Sequence, residues 1–247
     1  MKTVLITGCS SGYGLATARH FHAQGWQVIA TMRTPRDIDI PPSSRLRVVA
    51  LDVTRPESIA RALEDIGTID VLVNNAGIGL FGAFEATPMT TVRDVFETNT
   101  FGTLAMCQAV IPRLREQRSG TIVNVTSSAT LAPFPLVAAY TASKTAIEGF
   151  SASLALELRD FDVRVRLVEP GYGPGTNFSA NAGERIQGLI TAPYAAYAQR
   201  IFAEFVGASL TTTPEDVAEA VWLAANDTTD RLHRAAGPDA VALAERR

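Results

Sequence analysis

The strongest constraint on this chain is an alternation: short runs rich in β-branched residues are separated by longer stretches with helical periodicity. Residues 3–7, 27–32, 46–51, 69–74, 121–126 and 163–168 read as six strands, and 12–24, 56–66, 91–115 and 140–159 as helices. Strands that alternate with helices pair in parallel, with the helices covering both faces of the sheet. The expected fold class is therefore α/β, a doubly wound parallel sheet in three layers. The strand runs are apolar almost throughout, as strands buried on both faces are. A length of 247 residues suits a single domain spanning 1–247.

One segment breaks the alternation. From 171 to 213 glycines and prolines come first, then Tyr194, Tyr197, Phe202 and Phe205 at helix-like spacing. It is too long for an ordinary connection, so a helical substrate-loop insertion, a lid at about 172–210, is expected. Thr213-Pro214-Glu215-Asp216 then opens a last helix, with an N-cap, a proline and early acids.

Composition removes several function classes. The apolar run at Val4-Leu5-Ile6 stops at Gly8 with no small-residue cleavage site after it, so it reads as a buried first strand. No run approaches the roughly 20 apolar residues that span a bilayer. Two cysteines, Cys9 and Cys107, and no Cys/His spacing give neither a disulfide framework nor a metal site, and a cytoplasmic location follows by default. A net charge of −3 without a basic block argues against nucleic acid as a partner.

Two patterns carry chemistry. Thr7-Gly8-Cys9-Ser10-Ser11-Gly12-Tyr13-Gly14 lies between the first strand and the first helix. Glycines there let the backbone turn sharply and approach a pyrophosphate, while N–H groups at the helix start hold negative charge. Gly8, Ser10, Ser11, Gly12, Tyr13 and Gly14 are the expected cradle; a merely tight strand-to-helix connection is the alternative. The second pattern is Tyr140 and Lys144, four apart in a helical stretch and so on one face. A free phenol has a pKa of about 10, too high for a base near neutrality. An ammonium about 4 Å away favours phenolate by roughly 4 kcal/mol at an effective dielectric of about 20, which leaves room for a fall towards about 7. Such pairs are also common on helix surfaces, and the companions decide between the two readings.

With Asn74-Asn75-Ala76-Gly77, Asn99 and Ser127 in order and at characteristic spacing, the chain resembles the classical short-chain dehydrogenase/reductase family over residues 3 to about 171. The nearest resemblance is to its hydroxysteroid and retinol dehydrogenase-like members. The resemblance implies a Rossmann-type sheet binding a nicotinamide dinucleotide, and an oxidoreductase acting on a carbonyl or secondary alcohol, with Tyr140 as general acid/base. It implies a relay through Asn99, Ser127, Tyr140 and Lys144, in which Ser127, thirteen positions before Tyr140, stabilises developing charge on the substrate oxygen. Ser128 is the rival, and only the spacing favours Ser127. Asp52 and Val53 are expected at the adenine edge, Asn75, Ala76 and Gly77 beside the cofactor, and Pro170 and Gly171 near nicotinamide.

Where family members place a threonine five positions after the proline, this chain has Gly175, with Thr176 one later. Thr176 restores the contact only if the loop carries one extra residue. The second strand ends Thr31-Met32-Arg33; Met32 stands where an acid would select NAD, and Arg33 offers a planar fork suited to the 2′-phosphate of NADP(H). A basic residue that many NADP-using relatives carry in the glycine turn is replaced by Ser11. Phe81, Phe134, Leu136 and the aromatic residues of the insertion suggest a largely apolar small-molecule substrate, lipid-like, steroid-like or aromatic, or else pack the lid on the sheet. A homodimer follows from the resemblance, whereas Ala235-Ala236-Gly237-Pro238-Asp239 departs from the C-terminal strand through which relatives form tetramers. The histidines His20, His22 and His233 fall outside these motifs. Two other classes stay open: an NADP(H)-sensing regulator without turnover, and an epimerase or dehydratase that uses the cofactor transiently.

Overall fold

The computed structural model describes residues 1–64, 66–176 and 183–246; residues 177–182, within the expected lid, lie outside them, as do 65 and 247. The sheet has seven parallel strands in the order β3-β2-β1-β4-β5-β6-β7. These are β1 (Thr3–Ile6), β2 (Gln27–Met32), β3 (Leu46–Ala50), β4 (Val71–Asn74), β5 (Gly120–Val125), β6 (Val163–Pro170) and β7 (His233–Ala236). Among the described residues, the helices are α1 (Gly12–Ala23), α2 (Pro56–Glu64), α3 (Met89–Phe96), α4 (Gly102–Gln117), α5 (Ala138–Leu158), α6 (Ala192–Val206), α7 (Pro214–Asn226) and α8 (Pro238–Ala244). None of them is long and apolar enough to cross a membrane, among the described residues.

Successive side chains of a strand point to opposite faces, and the core follows that rule. Val4 and Ile6 join Phe21 of α1 and Val217 and Val221 of α7 on one face. Leu5 joins Ile59 of α2, Met106 and Val110 of α4 and Leu154 of α5 on the other. Each such side chain, once fully buried, contributes about 2 kcal/mol relative to exposure. Burial on both faces is why the central strands lack an apolar/polar alternation. The edge strand β3 does not share this property: its side chains are half-exposed or exposed.

Three expectations need correction. A seventh strand forms at His233–Ala236, although its sequence is not strand-like; it pairs in register with β6, Pro170 opposite Ala236, and the exposed edge of β6 supplies the reason. The helix at Pro214 is not the last, because α8 follows. Its capping box is present, with Thr213 accepting from the Asp216 N–H and Asp216 accepting from the Thr213 N–H. The expected single helix over 91–115 is divided into α3, a π-helical turn at Glu97–Phe101, and α4.

The strand order reverses direction between β1 and β4. In a sheet of this kind the crevice at the carboxyl ends of those strands is where ligands bind. The glycine turn, Arg33, Asp52, residues 75–77, Ser127 and Gly171 each follow the carboxyl end of a strand.

Candidate active site

The glycine turn leaves β1 and enters α1. Gly8 and Gly12 have φ of 75° and 56°, the left-handed region that favours glycine. A Cβ on Gly14 would collide with the Gly8 carbonyl oxygen. Asn75 braces the turn: its side-chain amide donates to the Thr7 carbonyl at 2.9 Å and the Gly8 carbonyl at 3.3 Å. The Thr7 hydroxyl accepts from the N–H groups of Asn75 and Ala76, both at 2.9 Å. Ser11, the N-cap of α1, makes no side-chain cap. The first N–H groups of α1 therefore have no capping side chain, and they carry the positive end of the helix dipole. That cradle fits a dinucleotide pyrophosphate.

The loop after β6 lies against the same turn. The Thr176 side chain faces Gly12, with its Cβ 3.6 Å from where a Gly12 Cβ would stand. The Tyr13 hydroxyl occupies the space that a side chain on Gly173 would need. Burial raises the Tyr13 phenol above its ordinary range, and the fields of Tyr140, Asp239 and Asp216 add to the effect.

Tyr140 and Lys144 are both buried, and both leave α5 towards the carboxyl end of β5. The Lys144 Nζ donates to the Val125 carbonyl at 2.9 Å. Two residues on, the Ser127 side chain hydrogen-bonds Tyr140. Ser127 is half-buried and Ser128 buried. Burial pushes Tyr140 up to about 12, with the Ser127 hydrogen bond opposing. Burial brings Lys144 down to about 8, with Glu148 pulling it back up. The expected acidification of the phenol is thus outweighed here by desolvation.

Asn99 lies in the π-helical turn and is completely buried. Its Oδ1 accepts from the Ile78 N–H at 2.8 Å, and its Nδ2 donates to the Ile78 carbonyl at 3.0 Å and to Ser143 Oγ at 3.1 Å. Insertion of this side chain between two segments accounts for the local irregularity that periodicity could not show. A Cβ on Gly77 would stand 3.2 Å from Asn99 Oδ1 and 3.5 Å from Lys144 Nζ, so glycine leaves room for both to converge.

At the other end of the crevice, Met32 closes β2 inside the core, and Arg33 is the first exposed residue beyond it. The Asp52 carboxylate makes a local turn, accepting from Thr54 N at 3.0 Å and Thr54 Oγ1 at 2.7 Å. Partial burial raises its pKa, but the Thr54 hydrogen bonds and the charges of Arg33 and Arg55 hold it below the usual carboxylate range. Val53 is buried, and its Cγ2 would lie 2.6 Å from a Cβ on Gly102, so its side chain packs α4 against this loop.

Sequence reasoning missed Asp239. From α8 its Oδ2 accepts the Tyr172 N–H at 2.6 Å and its Oδ1 accepts the Thr212 hydroxyl at 2.5 Å. The Thr212 N–H donates to the Tyr172 carbonyl at 2.7 Å, so one carboxylate ties both ends of the inserted segment. A side chain on Gly171 would collide with it. Above, α6 is held by aromatic pairs: Phe81 with Phe202 at 4.6 Å, Phe134 with Phe205 at 6.0 Å and Tyr172 with Phe205 at 5.0 Å. Asp239→Ala is expected to destabilise the fold by on the order of 2 kcal/mol and to speed amide exchange at Tyr172 and Thr212 while leaving β1 and β4 protected. Unchanged exchange at both amides would show that the clasp holds nothing. The His233 Nδ1 lies 2.7 Å from Glu169 and 3.4 Å from Glu148, one helical turn beyond Lys144.

The family model described as short chain dehydrogenase matches residues 2–187. A 3-ketodihydrosphingosine reductase of Bacteroides thetaiotaomicron is 40% identical over 74% of this chain and 68% of its own length. Retinol dehydrogenase 8 of Bos taurus is 42% identical over 69% of this chain, which spans 58% of that relative. A crystal structure of a short-chain dehydrogenase from Streptomyces avermitilis superposes with a TM-score of 0.83 at 35% identity, over 99% of this chain and 90% of that one. Serine dehydrogenase complexed with NADP+ follows with a TM-score of 0.76 at 29% identity, over 94% of both chains. A Burkholderia phymatum protein in complex with NAD, 24% identical with a TM-score of 0.79 over 99% of this chain and 92% of its own, shares the fold.

Proposed function

The chain belongs to the short chain dehydrogenase family, and from that premise we propose that it is an NADP(H)-dependent oxidoreductase for a carbonyl or secondary alcohol of an apolar substrate, with Tyr140 exchanging the proton. The observation that carries this reading is the meeting of Tyr140, Lys144 and Ser127 at the end of β5. The bound cofactor supplies or accepts the hydride. The cradle at Gly8–Gly14 would hold its pyrophosphate, Arg33 its 2′-phosphate, and the Pro170–Gly171 backbone and Thr176 its nicotinamide end.

In the reducing direction the Tyr140 hydroxyl gives its proton to the substrate oxygen as negative charge develops there, and Ser127 hydrogen-bonds the same oxygen. In the oxidising direction Tyr140 takes the alcohol proton. The Lys144 ammonium favours the ionised phenol in both. Asn99 acts by fixing the 77–78 backbone that shapes the floor below Lys144.

The apolar substrate is supported by what surrounds the phenol. Tyr140 belongs to a cluster with Leu80, Val95, Ala139 and Leu189, and Phe134 and Ile186 pack against it. Relatives named for ketodihydrosphingosine and retinol, both largely hydrocarbon, agree with such walls. The test is a panel of apolar ketones and alcohols followed at the nicotinamide absorbance, with NADPH and NADH side by side. NADPH is expected to exceed NADH by at least about tenfold in kcat/KM, a difference of about 1.4 kcal/mol. Equal rates would remove the Arg33 argument. Cofactor binding without turnover across the whole panel would favour a sensing role.

A further inference from the structure

The glycine turn, residues 8–14, carries no basic side chain, and Ser11 stands at its centre. The structure brings a basic side chain to the turn from elsewhere. The turn is held to the end of β2 by the Cys9 N–H, which donates to the Thr31 carbonyl at 2.8 Å. The chain then leaves β2 through Arg33-Thr34-Pro35-Arg36, all exposed, and the Arg36 Nη2 reaches back to donate to the Ser10 carbonyl at 2.7 Å. A carbonyl does not neutralise a guanidinium, and only one of its several N–H donors is engaged there. Nearby arginines have acids: Arg19 pairs with Asp39, and Arg55 faces Asp52. Among the described residues, no carboxylate is ion-paired with Arg33 or Arg36.

Two exposed guanidiniums thus flank the carboxyl end of β2, one following the strand directly and acting on Asp52 through its charge, and one laid on the glycine turn. We infer that Arg36 is a second ligand for the 2′-phosphate, supplying from the β2–β3 loop the charge that Ser11 lacks. This rests on the NADP(H) reading above. Arginine suits the role because its remaining donors can fork onto phosphate oxygens while one stays on Ser10.

Calorimetric titration of the full chain with 2′,5′-ADP and with 5′-AMP tests this without turnover, using wild type, Arg33→Ala, Arg36→Ala and Arg36→Gln. Arg36→Gln keeps an N–H donor for Ser10 and loses the charge. Wild type is expected to prefer 2′,5′-ADP. Both Arg36 variants should weaken 2′,5′-ADP by about tenfold and leave 5′-AMP within about twofold. Equal weakening of both ligands in Arg36→Ala, rescued in Arg36→Gln, would make Arg36 a brace for the turn and overturn the inference. If Arg33→Ala alone weakens 2′,5′-ADP, the cofactor reading survives and Arg36 has no part in it. If wild type binds both ligands alike, the cofactor reading fails and the inference falls with it.

Discussion

Tyr140→Phe is expected to lower kcat/KM by at least about a hundredfold, and up to about ten-thousandfold, while cofactor binding stays within about twofold of wild type. The reason lies in what the substitution removes. The ring remains in its apolar cluster with Leu80 and Leu189, so packing is conserved. Only the hydroxyl that meets Ser127 is lost, and with it the group that can pass a proton to the substrate oxygen. The glycine turn and the loop after β6 are untouched. Steady-state rates with the best substrate of the panel, together with cofactor titration by fluorescence, check both halves. A variant that retains more than about a tenth of the activity would exclude Tyr140 as the proton donor.

Lys144→Met should cost a comparable factor and should also change how the protein responds to pH. In the oxidising direction the phenol must be ionised. Burial pushes Tyr140 up to about 12, and the ammonium of Lys144, four residues on along the same helical face, is the charge proposed to bring it down. Without it, the rise of the oxidation rate with pH is expected to move to more alkaline pH, with about a hundredfold or greater loss at neutrality. Stability gives an independent readout. Lys144 has a folded pKa of about 8 against 10.5 for the free group, so between those values the unfolded chain binds the proton and the folded chain does not. Wild-type stability should therefore rise with pH across about 8 to 10.5, relative to the methionine variant, by on the order of 3 kcal/mol. Below pH 8 the folded protein bears the full cost of the buried charge, and there the variant should be the more stable of the two. Denaturant melts from pH 7 to 10 measure the gap; a gap that stays constant with pH would show that the lysine is not held near 8.

The parts of this molecule that were legible in its sequence are those set by local pattern. Buried strands announce themselves through runs such as Val4-Leu5-Ile6, and the glycine turn through spacing, because left-handed backbone at Gly8 and Gly12 leaves little choice of residue. The i,i+4 relation puts Tyr140 and Lys144 on one face before any coordinates exist. What stayed hidden depends on tertiary neighbours. β7 is a strand because β6 offers it an edge, and nothing in His233-Arg234-Ala235-Ala236 says so. The π-helical turn exists because Asn99 reaches the Ile78 backbone, 21 residues away. The Asp239 clasp and the Arg36 contact join positions 67 and 26 apart, distances over which spacing carries no signal.

Proton exchange at Tyr140 depends on the buried phenol becoming acidic when the cleft is filled. Its ionisation can be followed directly as the ultraviolet difference between wild type and Tyr140→Phe during a pH titration, with and without NADP+. In the free protein, no ionisation assignable to Tyr140 is expected until near pH 12; with NADP+ bound, it should appear well below 10, the value for a free phenol, and Lys144→Met should abolish that shift. A phenol that titrates at the same pH in the free protein, the complex and the Lys144 variant would contradict the account.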